Sequence, residues 1–314
     1  MIDGISVIIP TYNREQYLNE AIQSVISQDF EGVLEVIISD DGSSDETLKI
    51  AESFGSRIKI LRKPKNCTTQ GVSGTRNRGI EASTQPFICF LDSDDFYLEG
   101  HLKKIAQIFE NNQNLGFAFC RILEVKEEDG KNLFKQWTHK RIFKNDIKNP
   151  VVSRGKIVHT NSFIFRREVF EKVGNFNLDF SHGEDGDLWM RISEQFRGEF
   201  SNHYGAVYRI QHENNQLTKN SNEQIRKCHI KVQENAIKRY YELGLKDSNR
   251  IFELKHLSIH GQYKRNNKLI YYFQYLKLIC MHPITFLRRM PVFYYEISEM
   301  NESKKWYTLQ KFIN

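Results

Sequence analysis

Cysteine is scarce in this 314-residue chain, and the five present (Cys67, Cys89, Cys120, Cys228 and Cys280) include no CxxC pair and cannot all pair with one another. A disulfide scaffold is therefore not expected, and a reducing cytosol is the simplest home. A secretory leader is not expected either, since "MIDGISVIIPTYNR" has no basic opening and breaks at Pro10. No long apolar run occurs. The late stretch 269–281 is too short to span a bilayer and is interrupted by Gln274 and Lys277. Internal repeats and low-complexity tracts are absent as well.

What is present reads as an ordinary globular composition, 39% hydrophobic and 27% charged. The length allows one large or two ordinary domains. The net charge of +6 is unevenly spread. Residues 222–314 hold 17 Lys and Arg against 8 Asp and Glu, leaving 28 against 31 in the rest. The basic part suits an anionic surface or plain solvent, and no familiar nucleic-acid motif accompanies it.

Apolar runs alternate with helical patterns along the first hundred residues. "SVII" ends at "PTYN", "LEVIIS" at "DDGSSDET", and "FICFL" at "DSDD", with "RIKIL" between the last two. Between the first two runs, Leu18, Ile22, Val25 and Ile26 share one helical face. Ser43 and Glu46 have the spacing of a capping box for a helix through residue 53. Such alternation predicts a doubly wound α/β fold with a mostly parallel sheet. In that topology ligands bind beyond the carboxyl ends of the strands, where these polar groups converge.

The stretch "FICFLDSDDFY" crowds Asp92, Asp94 and Asp95 into four positions. Carboxylates that close raise one another's pKa unless positive charge sits among them. A turn explains the composition; a divalent cation explains the crowding.

Taken in order, "SVIIPTYNREQYLNEAIQSVISQ", "EVIISDDGSSDET", "GVSGTRNRGIEAS", "FLDSDD" and "GEDGDLWMR" resemble the family 2 glycosyltransferases of the GT-A fold over roughly residues 5–215. The resemblance implies a GT-A catalytic domain over 1–221, with 1–97 as the nucleotide-binding half and 98–221 as the acceptor-binding half. Residues 222–314 would form a basic, aromatic helical region. It also implies an inverting transfer from a nucleotide-sugar, a UDP-sugar for preference, to a hydroxyl of a glycan or lipid-linked saccharide.

By the same resemblance, Pro10 and Tyr12 lie beside the base and ribose, and Asp41 accepts a hydrogen bond from the base. Asp40 is left to hold its own loop. Arg76 helps hold the diphosphate or ribose, and Asp92 contacts the ribose or a metal-bound water. Asp94 and His212 hold Mn²⁺ or Mg²⁺, while Asp95 is a helix cap. His159 reads as structural. Asp185 is the general base and Glu184 contacts the acceptor, because a sugar hydroxyl is a poor nucleophile until its proton is removed. Asp187 competes on composition, but two residues along a helix it would turn away.

The stretch 264–295 mixes Tyr, Phe and Leu with Lys264, Arg265, Lys268, Arg288 and Arg289. It suits a helix lying on an anionic membrane, and equally a helical appendage packed on the catalytic domain or a partner subunit. The expected location is cytoplasmic, peripheral to the membrane if the first reading holds; oligomeric state is left open. A rival reading keeps the fold as a non-catalytic nucleotide-sugar-binding scaffold. A sugar-nucleotidyltransferase is disfavoured because "PTYNREQ" lacks the glycines of a phosphate loop.

Overall fold

In the computed structural model, the residues described are 2–65, 71–136, 159–210, 222–245, 248–263, 268–287 and 308. Nine strands form one sheet in the order β3-β2-β1-β4-β8-β6-β9-β5, with β7 paired to β6. The first half supplies β1 (Gly4–Thr11), β2 (Val33–Asp40), β3 (Lys59–Arg62) and β4 (Phe87–Phe90), all parallel. The second half adds β5 (Phe96–Tyr97), β6 (Leu115–Glu128), β7 (Lys131–Gln136), β8 (Phe163–Arg166) and β9 (Arg197–Arg209). Strands β6 and β9 run with the parallel set; β5, β7 and β8 oppose it. The sheet is thus mostly parallel, as the alternation predicts. The antiparallel insertion of β8 between β4 and β6 is not visible in any local pattern.

Period-two alternation in β1 divides the core. Ile5, Val7 and Ile9 face one apolar layer, while Ile8 faces the other. The first layer is covered by α1 (Leu18–Ile26), α2 (Thr47–Glu52) and α4 (His101–Asn111). On α1 the buried stripe is Leu18, Ala21, Ile22 and Val25, close to the face expected from spacing. The second layer is covered by α3 (Gly71–Ala82), α5 (Arg167–Val173) and α6 (Glu184–Gln195). Helix α3 lies so close to β1 that a Cβ at Gly79 would come within 2.3 Å of Ile8 Cγ2. With both faces covered, near-continuous burial of β1 follows.

The second layer is aromatic. Phe163 and Phe165 stack on each other, and Trp189 of α6 stacks on Phe165 at 5.0 Å between ring centroids. Each such fully buried ring stabilises the fold by about 1.5–3 kcal/mol, so α6 is firmly seated on the sheet. Helix α7 (Asn222–Glu242) packs on α6 through a smaller cluster of Phe180, Met190, Cys228, Val232, Ala236 and Leu254. Leu254 belongs to α8 (Ser248–Tyr263), on which α9 (Lys268–Met281) follows.

The capping box expected at Ser43 and Glu46 does not form. Asp40 takes the Ser43 hydroxyl and N–H, and Ser43 Oγ accepts from Asn13 N–H, so Ser43 serves the loop instead of a helix end. Helix α2 starts at Thr47 without a side-chain cap. Asp95 is no helix cap either. It accepts from Arg209 N–H at 2.8 Å and from Asn161 Nδ2 at 2.6 Å, tying β9 to the loop after β4. Strand β5, not a helix, follows it.

Candidate active site

Register brings the polar strand ends together. Thr11 on β1 pairs with Asp40 on β2, and Leu91 N–H donates to Ile8 O, which extends the ladder to the start of "DSDD". Asp40 is buried and holds Gly42 and Ser43, the loop role it was allowed. Asp41 lies between cations: Arg78 at 3.2 Å, Lys63 at 3.3 Å, and the Gly71 N–H at the start of α3 at 3.0 Å. Pro10 is buried within β1, whereas Tyr12 just beyond is 54% exposed, its ring available at the crevice.

Arg76 occupies the centre. It is 4% exposed, and its guanidinium donates to Asp92 Oδ1 at 2.7 Å and Glu184 Oε1 at 3.2 Å, with the Phe176 ring 5.3 Å away. One side chain therefore joins the end of β4 to the start of α6. In this arrangement its charge is directed at two carboxylates. Burial works to raise the Asp92 pKa, but Arg76 and His159 outweigh it and hold the carboxyl below its ordinary value. Burial and the Asp185 charge push Glu184 up to about 7 despite Arg76.

Helix α6 opens on Gly183 at φ +77, a left-handed conformation that suits glycine. Asp185 is half-buried and its Oδ1 accepts from the Gly186 N–H at 2.6 Å. Asp187 is buried and points elsewhere, paired with Arg191 at 2.8 Å and with Arg239 of α7 at 3.4 Å. The two acids so close in sequence thus differ in surroundings: Asp187 lies at the α6–α7 interface, whereas Asp185 stays half-exposed.

The acidic turn after β4 is short of positive charge. Asp94 meets Arg14 Nε at 3.5 Å, yet burial and the neighbouring Asp92 raise its pKa. Asp95 is raised well above its ordinary value by burial and by Asp94 and Asp92. His159 lies with Nε2 3.9 Å from Asp92 and its ring 4.9 Å from Tyr208. Ligand atoms of Asp92, Asp95 and His159 all fall within 4.8 Å of one another. Carboxylate oxygens with one imidazole fit a divalent cation. His212, expected as a ligand, lies outside the described residues.

Several residues here carry no motif. His159 is a lone histidine 67 positions from Asp92, and only the β4–β8 pairing brings them together. Asn161 accepts from the Asp92 N–H at 2.9 Å. Arg14 and Arg78 lie inside stretches quoted for the resemblance and Lys63 in "RKPK", but no spacing marks any of the three as part of the site. His229 of α7 rests on Gly183, where a Cβ would meet its Cδ2 at 2.7 Å, beside the start of α6.

A parallel nucleotide-type half with carboxylates at its strand ends, joined to a mixed half whose helix opens on an acidic pair, is the GT-A class of fold. The family model for Glycosyl transferase family 2 matches residues 6–174, and the chain belongs to that family. It is 31% identical over 210 residues to the GalNAc(5)-diNAcBac-PP-undecaprenol beta-1,3-glucosyltransferase of Campylobacter jejuni, covering 66% of this chain and 64% of that protein. The match thus spans slightly less than two thirds of that relative. It is 30% identical over 190 residues to the UDP-Glc:alpha-D-GlcNAc-diphosphoundecaprenol beta-1,3-glucosyltransferase WfgD of Escherichia coli, covering 60% of this chain and 69% of WfgD. The fold is similar to that of S. aureus TarS 1–349 in complex with UDP-GlcNAc, with a TM-score of 0.57 and 18% identity over 83% of this chain and 82% of that one.

Proposed function

We propose that the protein is an inverting glycosyltransferase that moves a sugar from a UDP-sugar to a hydroxyl of a lipid-linked saccharide or other glycan. The observation that carries this reading is the Arg76 bridge, which sets the carboxylates after β4 and the acidic opening of α6 in one crevice. The names of both bacterial relatives support a lipid-linked acceptor, and that of WfgD a UDP-sugar donor.

In this reading the base and ribose lie along Pro10, Tyr12 and Asp41, with Asp92 toward the ribose. Asp94, beside the Asp92–Asp95–His159 group, would hold Mn²⁺ or Mg²⁺, with His212 as the further ligand the resemblance implies. A bound cation would supply positive charge to the donor diphosphate and to the leaving nucleoside diphosphate. Arg76 fixes Asp92 and Glu184, and Glu184 orients the acceptor. Asp185 takes the proton of the acceptor hydroxyl as its oxygen attacks the anomeric carbon and the bond to the diphosphate breaks. One base suffices for this displacement, and no covalent sugar–enzyme link is needed.

The unit 1–221 is read as catalytic, divided at 97/98, and 222–314 as its appendage. Among the described residues no helix is long and apolar enough to cross a membrane. Yet α9 and the turn after it expose Leu269 at 84%, Phe273 at 68% and Leu276 at 60%, with Tyr272, Ile284 and Leu287 also exposed. These residues recur at helical spacing beside a basic sequence, which supports peripheral contact with an anionic bilayer.

A panel of nucleotide-sugars with Mn²⁺ tests the reading. Release of nucleoside diphosphate and nucleotide binding are followed separately for the wild type, Asp94→Ala and Asp185→Asn. Turnover of one donor, loss of metal-dependent binding in the first variant, and binding without turnover in the second support it. Nucleotide binding with no turnover by any protein, even with lipid-linked acceptors present, would move the conclusion to a scaffold.

A further inference from the structure

A second cluster of ligating side chains lies away from the crevice, between α4 and the β6–β9 pair. His101 opens α4, Cys120 sits in β6 and His203 in β9, and their ligand atoms fall within 4.8 Å of one another. His101 Nδ1 faces His203 Nε2 at 3.0 Å. We propose that these three residues bind one zinc ion, through His101 Nδ1, His203 Nε2 and Cys120 Sγ, which clamps α4 onto the sheet. This inference does not rest on the proposed catalytic reading.

Two imidazoles and a thiolate are the donor set of a borderline-soft cation, whereas the crevice offers mainly oxygen. In a tetrahedral zinc site with bonds of about 2.0–2.3 Å, neighbouring donor atoms lie roughly 3.3–3.6 Å apart; here the two imidazole nitrogens are 3.0 Å apart and every pair lies within 4.8 Å. His101 is wholly buried. Its Nε2 has no hydrogen-bond partner among the described residues, so its polar outlet is Nδ1, which faces the cluster.

The surrounding shell is arranged for coordination. His203 Nδ1 contacts the Ser201 hydroxyl, and a donor there leaves the Nε2 lone pair free toward Cys120 and His101. Backbone N–H groups of Gly205 and Ala206 face Cys120 Sγ and offset part of the burial that pushes its thiol up to about 12, so it is the metal that must displace the proton. Strand β9 reaches these positions only by breaking register. Pairing slips between Phe119 and Arg121 and again between Arg121 and Ile122, across the segment that delivers Ser201, His203 and Gly205. Bulges of this kind re-aim side chains. At Gly205 a Cβ would lie 2.1 Å from His101 Nδ1 and 2.6 Å from Cys120 Sγ, so glycine lets the strand come up to two of the ligands. Burial also keeps both imidazoles toward the neutral form that coordinates a metal, with Lys104 the cation nearby.

Binding replaces the Cys120 S–H bond with a sulfur–zinc bond and releases that proton to solvent; both histidines enter neutral. The fourth position goes to water, on the partly exposed His203 side.

The full chain, purified without chelator and passed through gel filtration, is titrated with zinc chloride and separately with cobalt(II). Expected are one zinc and one released proton per chain, and a sulfur-to-cobalt charge-transfer absorption. Both persist in Asp94→Ala. Cys120→Ser and His203→Ala should each weaken zinc binding by at least about 100-fold, since loss of an outer-shell partner alone costs 10–100-fold. Circular dichroism checks that each variant is folded, and His203, at the partly exposed edge, remains a usable variant should Cys120→Ser unfold. Absence of stoichiometric zinc, cobalt binding without the sulfur band, or undiminished binding in Cys120→Ser and His203→Ala would overturn the proposal.

Discussion

At the carboxyl edge of β1–β4 charged groups face other charged groups: Asp41 meets Arg78 and Lys63, Asp92 meets Arg76, and Asp94 meets Arg14. Along α9 the outward side chains are instead Leu269, Tyr272, Phe273 and Leu276. The first region is wired internally, so its geometry is set before any ligand arrives. The second leaves apolar area in contact with water, which has a use only when another surface covers it. In the proposed reading chemistry and location belong to different parts of the chain, joined through the packing of α7 on α6.

The comparison is broken most sharply at Asp185. Asp185→Asn should lower kcat by about 10²–10⁴-fold while nucleotide affinity and binding to vesicles stay unchanged, as steady-state kinetics and calorimetry would read. Arg76→Met attacks the wiring itself, taking the guanidinium from buried Glu184 and partly buried Asp92. A loss of about 3–5 kcal/mol in urea unfolding is expected, the usual cost of breaking a buried ion pair from one side. If Arg76 served only the donor, nucleotide affinity would fall while stability held.

On the other region, Phe273→Glu with Leu276→Glu should reduce partition onto anionic vesicles by roughly tenfold or more, through lost apolar burial and added repulsion. Turnover of a soluble acceptor analogue should not change. The smallest effect is one of pH. Because the folded state holds the Glu184 proton up to about 7, the stability this group contributes is present at low pH and is lost as pH rises through that value. The melting temperature should therefore decline between pH 5 and 8, and decline less in Glu184→Gln.

How much of this was legible beforehand follows from the range of each interaction. Strands β1 to β4 and the face of α1 announce themselves through periods of two and 3.6, which are local properties. Asp187 could be set apart from Asp185 by helical phase alone, and its ion pairs with Arg191 and Arg239 agree with that phase. The place of β8 between β4 and β6 could not be read, since no local pattern encodes which strand a given strand pairs with. His159 was set aside for the same reason: a lone histidine becomes a neighbour of Asp92 only through that long-range pairing. Ser43 and Asp95 misled in the opposite direction. Each matched a short capping pattern, but Asp40 and Asn13 claimed the first and Arg209 and Asn161 the second. Tertiary partners outcompeted a local rule worth about 1 kcal/mol.

The shared guanidinium of Arg76 has a consequence for recombination between relatives. A chimera that joined residues 1–97 to the remainder of a different glycosyltransferase would inherit Arg76 and Asp92 from one parent and the acid at position 184 from the other. Unless the second parent offers a carboxylate at that helix opening, the buried cation is left half-neutralised at the seam. Crossovers that respect domain architecture would then still fail, and productive hybrids should be those in which both parents preserve this three-residue charge balance.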